Sequence, residues 1–349
     1  MRQFELAGRA VGAGAPCFII AEAGVNHNGE LALARKLVEA AADAGADAVK
    51  FQTFRADRLV APSSPKAAYQ IETTGGAESQ YEMLRRLELS EAMHLELIRQ
   101  CEQLGLTFIS TPFDEESADL LERLDLPAMK LPSGELTNLP LLRHIARKGR
   151  PMLISTGMAG IGEVEAAVRA VEQAGARDVA LLHCVSNYPA DPAAVNLRAM
   201  KTMERAFGYP VGYSDHTLGS AVALAAVALG AAVIEKHFTL DTTLPGPDHR
   251  ASIEPAELRE LVRGIRAVEQ ALGDGVKRAT PDEADVAAVA RRRLVAAQDI
   301  EAGVPLREQM VALRRAGAGL EPVMLPHVLG RRPRRRLAAG EPLTFEVLD

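Results

Sequence analysis

His216 and His237 each lie at or near the end of a short apolar run, residues 211–216 and 233–239. Imidazoles projecting from the ends of neighbouring strands can reach one divalent cation. With only two nitrogen donors and the remaining positions left to water and substrate oxygens, they suit a first-row ion acting as a Lewis acid, Mn²⁺ first, with Mg²⁺ or Co²⁺ as alternatives. A second group, Lys130, Ser133, Ser155, Asn187 and Ser214, supplies one cation and several neutral donors, a set that suits a phosphate. Glu22 closes another apolar run, Lys50 and Gln52 sit in the next, and Ser110 and Thr111 end a third; Glu235 and Lys236 stand beside His237. Any one of these is explicable as a satisfied polar core residue. Polar groups gathered at the same end of every run are not, because a buried charge without a partner is costly.

The elements that must position them alternate. Eight short apolar runs, 18–23, 48–54, 107–111, 129–133, 152–156, 179–185, 211–216 and 233–239, are separated by stretches of helical spacing such as 31–44, 117–124, 163–174, 218–229 and 255–272. Strands too apolar for one wet face, each followed by a helix, predict a parallel (β/α)8 TIM barrel with its chemistry at the carboxyl ends of the strands. The rival, a doubly wound open sheet, would favour a GxGxxG after the first strand, and there is none. One connection, from Ala56 to about Ser90, is long enough to act as a lid or binding loop. After Gly273 the texture changes, and a weak repeat follows: IEAGVPL at 300–306 recurs as LAAGEPL at 337–343. Two such units suggest a small β-rich C-terminal domain. The expected division is a barrel over 1–280, a linker over 281–290 and a small domain over 291–349.

Composition narrows the class. With 349 residues, 48% hydrophobic and 25% charged, the chain can bury a core without staples. Cys17, Cys101 and Cys184 have no CxxC spacing and read as reduced core thiols. The N-terminus lacks a signal-peptide pattern, and the most apolar stretch, 221–234, is too short to span a bilayer, so a cytoplasmic protein with no membrane partner is expected. The net charge of −6 is uneven: residues 291–349 hold eleven Arg against seven Asp and Glu, a balance of +4 that leaves −10 on the rest. An Arg-rich tail without interleaved aromatics beside an acidic barrel argues against nucleic-acid binding.

At these residues the chain resembles the sialic acid synthase family, the NeuB-like N-acetylneuraminate and N,N'-diacetyllegionaminate synthases. The matching segments are IIAEAGVNHNG (19–29), DAVKFQTF (47–54), STPFD (110–114), KLPSGELTNLPLL (130–142), ISTGM (154–158), LLHCVSNYPA (181–190), VGYSDHTLG (211–219), EKHFTLD (235–241) and LPGPDH (244–249). They fall in order on successive expected strands. ETTGGAESQYEML (72–84) is more similar to the bacterial legionaminate-type and neuraminate enzymes than to the animal ones.

The resemblance implies condensation of phosphoenolpyruvate with an open-chain N-acetylated amino sugar, N-acetylmannosamine or a 2,4-diacetamido-trideoxyhexose, plus water, to give a nonulosonic acid and phosphate. It places Lys50, Thr111, Lys130, Ser133, Ser155, Asn187 and Ser214 around phosphoenolpyruvate, and Gln52, Tyr188, Asp248 and Arg315 near the sugar. Glu22 and Glu135 are the expected catalytic carboxylates, Glu135 activating water and Glu22 orienting the sugar. It further implies that the C-terminal segment is an antifreeze-like (SAF) domain capping the barrel of the other subunit in a domain-swapped homodimer, with Arg315 of Arg314-Arg315-Ala316-Gly317 as the cap residue. The alternative within enzymes is another phosphoenolpyruvate-dependent aldol-type synthase of 3-deoxy sugar acids.

Overall fold

The computed structural model describes residues 2–349, apart from the side chains of Ala68 and Tyr69. The chain forms two compact units, 1–273 and 274–349. The contact division falls after Gly273, seven residues ahead of the expected end of the barrel at 280, and residues 281–290 group with the second unit.

In the first unit a hairpin, β1 (Gln3–Leu6) and β2 (Arg9–Gly12), precedes eight parallel strands: β3 (Phe18–Gly24), β4 (Ala48–Thr53), β5 (Thr107–Pro112), β6 (Met129–Leu131), β7 (Met152–Ser155), β8 (Val179–Cys184), β9 (Val211–Asp215) and β10 (Val233–His237). They close into a barrel, β10 pairing with both β3 and β9. The fold is the (β/α)8 barrel, and every expected run holds a strand within two residues of its bounds.

Strand alternation sorts the side chains into two layers. Ile19, Val49, Phe108, Met129, Ile154, Leu181, Tyr213 and Ile234 face the helices and join their apolar stripes in one core. Phe18, Ile20, Ala48, Ile109, Leu153, Ala180, Leu182 and Val233 fill the lower lumen together with Phe4, Leu6 and Val11 of the hairpin. The hairpin therefore plugs the amino-terminal end of the barrel, a role its short, mixed sequence did not announce.

The helices stop where their sequences require. Leu31–Ala44 ends at Gly45, whose φ of 82° lets its N–H return to the carbonyls of Ala41 and Ala42. Glu91–Leu104 starts at Ser90, whose hydroxyl accepts from the N–H of Met93. The long connection folds into three short helices, Ala56–Leu59, Ala68–Thr74 and Gln80–Arg86. Cys17, Cys101 and Cys184 are free and buried. Among the described residues no helix is long and apolar enough to cross a membrane.

The second unit carries a two-stranded antiparallel sheet, β11 (Arg292–Ala296) and β12 (Val311–Arg315), over a small core of Leu294, Ala296, Ile300, Leu306, Val328, Leu337, Leu343 and Leu348. The sequence repeat has a structural meaning. Its two first residues, Ile300 and Leu337, pair antiparallel through reciprocal N–H to C=O bonds of 2.9 Å.

Candidate active site at the carboxyl end of the barrel

Above the apolar lower lumen, the next inward position on most strands is polar: Glu22 on β3, Lys50 on β4, Thr111 on β5, Lys130 on β6, Ser155 on β7, Ser214 on β9 and Glu235 on β10. All of them line a cavity of about 410 Å³, a volume suited to small metabolites. Four of these groups form one buried charge cluster. Lys50 Nζ lies 2.6 Å from Glu22 Oε2 and 3.6 Å from Glu235 Oε2, and Lys130 Nζ lies 3.4 Å from Glu235 Oε1. Lys50 also donates to Thr111 Oγ1 at 3.0 Å, and Ser214 donates to Glu235 at 2.8 Å.

The cluster is paired but not saturated. The Lys50 contact with Glu22 Oε2 has the distance of an ion pair without hydrogen-bond alignment, so that oxygen, Glu235 Oε2 and Ser155 Oγ are buried with no hydrogen-bond partner. Burial pushes the Glu22 carboxyl up to about 7 against the pull of Lys50, with Glu235 adding to the rise. Burial also acts to raise Glu235, but Lys130 and Lys50 outweigh it and hold this carboxyl low. Lys50 is raised because Glu22 and Glu235 overcome its desolvation, whereas desolvation lowers Lys130. Burial thus works against a charge on Glu22, while the two lysines favour one on Glu235.

His216 and His237 line the same cavity, their ring centroids 5.3 Å apart. Tyr188 lies against both, at 4.2 and 5.4 Å. His216 Nδ1 donates to the Val185 carbonyl at 2.7 Å, which leaves Nε2 as the free acceptor. His237 Nδ1 is buried with no partner. Burial lowers the pKa of both imidazoles, and in His237 the neighbouring His216 and Lys50 lower it further. Neutral rings with available lone pairs have the form a metal requires. Among the described residues no group of three or more His, Cys, Asp and Glu side chains is arranged to hold a metal. The chain offers two imidazoles, and water or substrate oxygens would complete a coordination shell.

The expected residues divide. Glu22, Lys50, Gln52, Thr111, Lys130, Ser133, Ser155, Tyr188, Ser214, His216, His237 and Asp248 all line the cavity. Gln52 donates to Glu22 at 3.3 Å, Ser133 Oγ accepts from the N–H of Gly157 at 2.9 Å, and burial pushes Asp248 up to about 6. Three expected residues, Asn187, Glu135 and Arg315, are not in that lining. Asn187 is exposed and outside the lining, while its neighbours Ser186 and Tyr188 point inward. Glu135 closes a 3-10 turn, Ser133–Glu135, whose first two residues line the cavity; its own carboxylate accepts from Asn138 at 2.7 Å instead. In both cases the chain has left the strand, so residue spacing no longer reports which way a side chain faces. Arg315, the last residue of β12, is exposed in the second unit.

Sequence reasoning noticed Glu235 but gave it no role, although it touches both lysines. Its signal was the shared inward parity with His237. Gln70, Gln80 and Met83 of the long connection also line the cavity, together with Leu59 and Leu84. That connection therefore walls the site.

The class defined by this geometry is a (β/α)8 enzyme with a polar, cation-bearing lumen at the strand ends. A family model described as NeuB family matches residues 37–277, and one described as SAF domain matches residues 291–348. The chain is 47% identical to the N,N'-diacetyllegionaminic acid synthase of Legionella pneumophila, over 97% of this chain and 96% of the relative. It is 49% identical to that of Campylobacter jejuni, over 90% and 94% respectively. The crystal structure of N-acetylneuraminic acid (sialic acid) synthetase from Leptospira borgpetersenii in complex with citrate superimposes with a TM-score of 0.72 at 34% identity, covering 82% of this chain and 95% of that one. The chain belongs to the NeuB family, and its C-terminal unit contains a SAF domain.

Proposed function

We propose that this chain is a carbon–carbon bond-forming synthase that condenses phosphoenolpyruvate with an open-chain N-acetylated amino sugar and water, releasing a nonulosonic acid and phosphate. The observation that carries this is the lumen cluster, where Lys50, Lys130 and the unpartnered Ser155 hydroxyl line one cavity. Two lysine side chains enclosed in one lumen suit an anionic substrate. The two legionaminic acid synthases at 47% and 49% identity support a 2,4-diacetamido-trideoxyhexose, ahead of N-acetylmannosamine, as the sugar.

In this reading Lys130, Ser133, Ser155 and Ser214 hold the phosphate and Lys50 the carboxylate. Gln52, Tyr188 and Asp248 orient the sugar, whose aldehyde carbon accepts the enol C3. Glu22 supplies its proton to the aldehyde oxygen as that becomes a hydroxyl. Water then adds at C2 and returns one proton to the Glu22 carboxylate; the C2–O bond to phosphate breaks as the new C2 hydroxyl becomes the ketone, its proton leaving with the phosphate. His216 and His237 would hold a divalent ion, Mn²⁺ first, which when bound acts as a Lewis acid toward oxygen ligands. Incubation with phosphoenolpyruvate and a panel of N-acetylated hexoses, with products weighed by mass spectrometry, tests the assignment. Release of phosphate without a nine-carbon product would refute it.

The opposite charge balances of residues 1–290 and 291–349 support a swapped homodimer in which Arg315 works on the partner's site. Exchange between the inactive His237→Ala and Arg315→Ala variants should then restore about a quarter of the activity of the unsubstituted protein, since about half the dimers are mixed and each has one whole site of two. No recovery after demonstrated exchange would place the cap in cis. The free thiols support a reducing, cytoplasmic setting.

A further inference from the structure

The helix-facing layer of the barrel is apolar on nearly every strand, yet at the top of β9 and β10 it contains a fully enclosed ion pair. The Asp215 side chain is 0% exposed and that of Lys236 is 1% exposed. Lys236 Nζ donates to Asp215 Oδ2 at 2.8 Å and to the Thr217 carbonyl at 2.5 Å. Asp215 Oδ1 accepts from the N–H and the hydroxyl of Thr217, at 2.9 and 2.8 Å. Thr217 is itself completely buried.

The location of this pair is informative. The β9–β10 ladder runs Ile234↔Tyr213, Glu235↔Ser214, Lys236↔Asp215 and ends there. His216 follows the last residue of β9 and His237 is the last residue of β10, each one step past the last pairing between these two strands. On its other side His237 is still held, opposite Glu22 on β3. His216 has no such ladder partner on β10. The Lys236 ammonium takes over where the ladder stops, gripping the residues on both sides of His216, Asp215 by its carboxylate and Thr217 by its carbonyl, while belonging to the residue just before His237.

A buried ion pair is poor evidence for stability, because well-packed apolar residues of similar volume commonly serve as well or better. Most helix-facing positions, from Ile19 to Ile234, use such residues, and the buried polar pair Thr53 and Ser110 is neutral and bonded to itself. We propose that the Asp215–Lys236 pair is a positioning device that sets the separation of the His216 and His237 imidazoles. It holds constant the bite that the two rings present to a cation. The inference rests on the metal reading of these histidines.

The test is Mn²⁺ affinity, measured on the full-length chelator-stripped protein by the electron paramagnetic resonance signal of free Mn²⁺. In Asp215→Leu/Lys236→Met the pair is removed without leaving a lone buried charge. Its melting temperature should stay close to the parent's, and binding of phosphoenolpyruvate in chelator, which uses the lumen face, should be unchanged. Its Mn²⁺ dissociation constant should rise about 10- to 100-fold, the usual consequence of losing a group that orients a ligand. Parental Mn²⁺ affinity in the folded double variant would overturn the proposal. His216→Ala/His237→Ala separates the two levels: if it too binds Mn²⁺ as the parent does, the metal reading itself has failed. Should the double variant not fold, Lys236→Arg keeps a cation opposite Asp215 but moves the donors. A several-fold loss of Mn²⁺ affinity is expected there, and parental affinity would again overturn the proposal.

Discussion

The barrel carries a charged cluster at each end, and the two are built to opposite rules. At the amino-terminal end Asp47 accepts from the N–H of Ile19 at 2.8 Å and from Arg266 at 3.0 Å, and pairs with Arg9 through its other oxygen. Glu269 accepts from the N–H of Cys17 at 2.5 Å, and Arg266 returns a bond to the Cys17 carbonyl at 2.9 Å. The carboxylates end in bonds, and the arginines reach solvent. At the carboxyl end Glu22, Glu235, Ser155 and His237 each leave a buried polar atom without a hydrogen-bond partner, and the lysines are enclosed at 3% exposure. A saturated cluster ties the chain together. An unsaturated one in a cavity is poised for a ligand that completes it, at a cost to the empty protein.

If that contrast is right, damage to the two ends should separate cleanly. The largest expected effect is Lys130→Ala: if Lys130 holds the phosphate as proposed, its removal should lower kcat/KM for phosphoenolpyruvate about 1,000-fold, mostly through its KM. Steady-state kinetics with both substrates varied would check this, and an equal rise in the sugar KM would reduce Lys130 to a structural role.

Next comes the acid sensitivity of stability at His27, which is buried directly after β3. Burial, with His94 and His249 nearby, lowers its pKa from 6.5 to about 4. The unfolded chain therefore binds the proton first, so the contribution of a neutral His27 is complete above pH 6.5 and lost as the pH falls toward 4, a change of about 3 kcal/mol. Glu22 and Asp248, both raised, carry the opposite sign over part of this range. The readout is therefore the difference between the parent and His27→Gln in urea midpoints across pH; parallel curves would reject the burial argument.

Asp47→Ala should cost about 2 kcal/mol of stability, discounted for its half-exposed arginines, while leaving kinetic constants unchanged. A loss of turnover at normal stability would erase the distinction between the two ends. The smallest effect belongs to the rim: Glu135→Gln should lower turnover by about tenfold or less, since its carboxylate is bonded to Asn138. A loss above about 100-fold would return Glu135 to acid–base work, whose usual worth lies in that range.

Much of this protein was legible in one dimension. Strand side chains alternate with a period of two, so the apolar runs that carry Glu22, Lys50, Thr111, Ser155 and His216 announced both the barrel and the end at which its polar groups gather. The same local rule placed Gly45 and Ser90 at helix ends. Where the chain leaves the strand that rule lapses, and Asn187 and Glu135 turned out to face elsewhere. Other features depend on contacts distant in sequence: the hairpin that plugs the barrel, the inward wall made by Gln70, Gln80 and Met83, and the cluster joining Glu22, Lys50, Lys130 and Glu235. Sequence alone determined which groups stand at the mouth of the barrel. Only closure of the barrel decided which of them interact as charges, because that depends on distances of a few ångströms across the lumen and on the water that closure excludes.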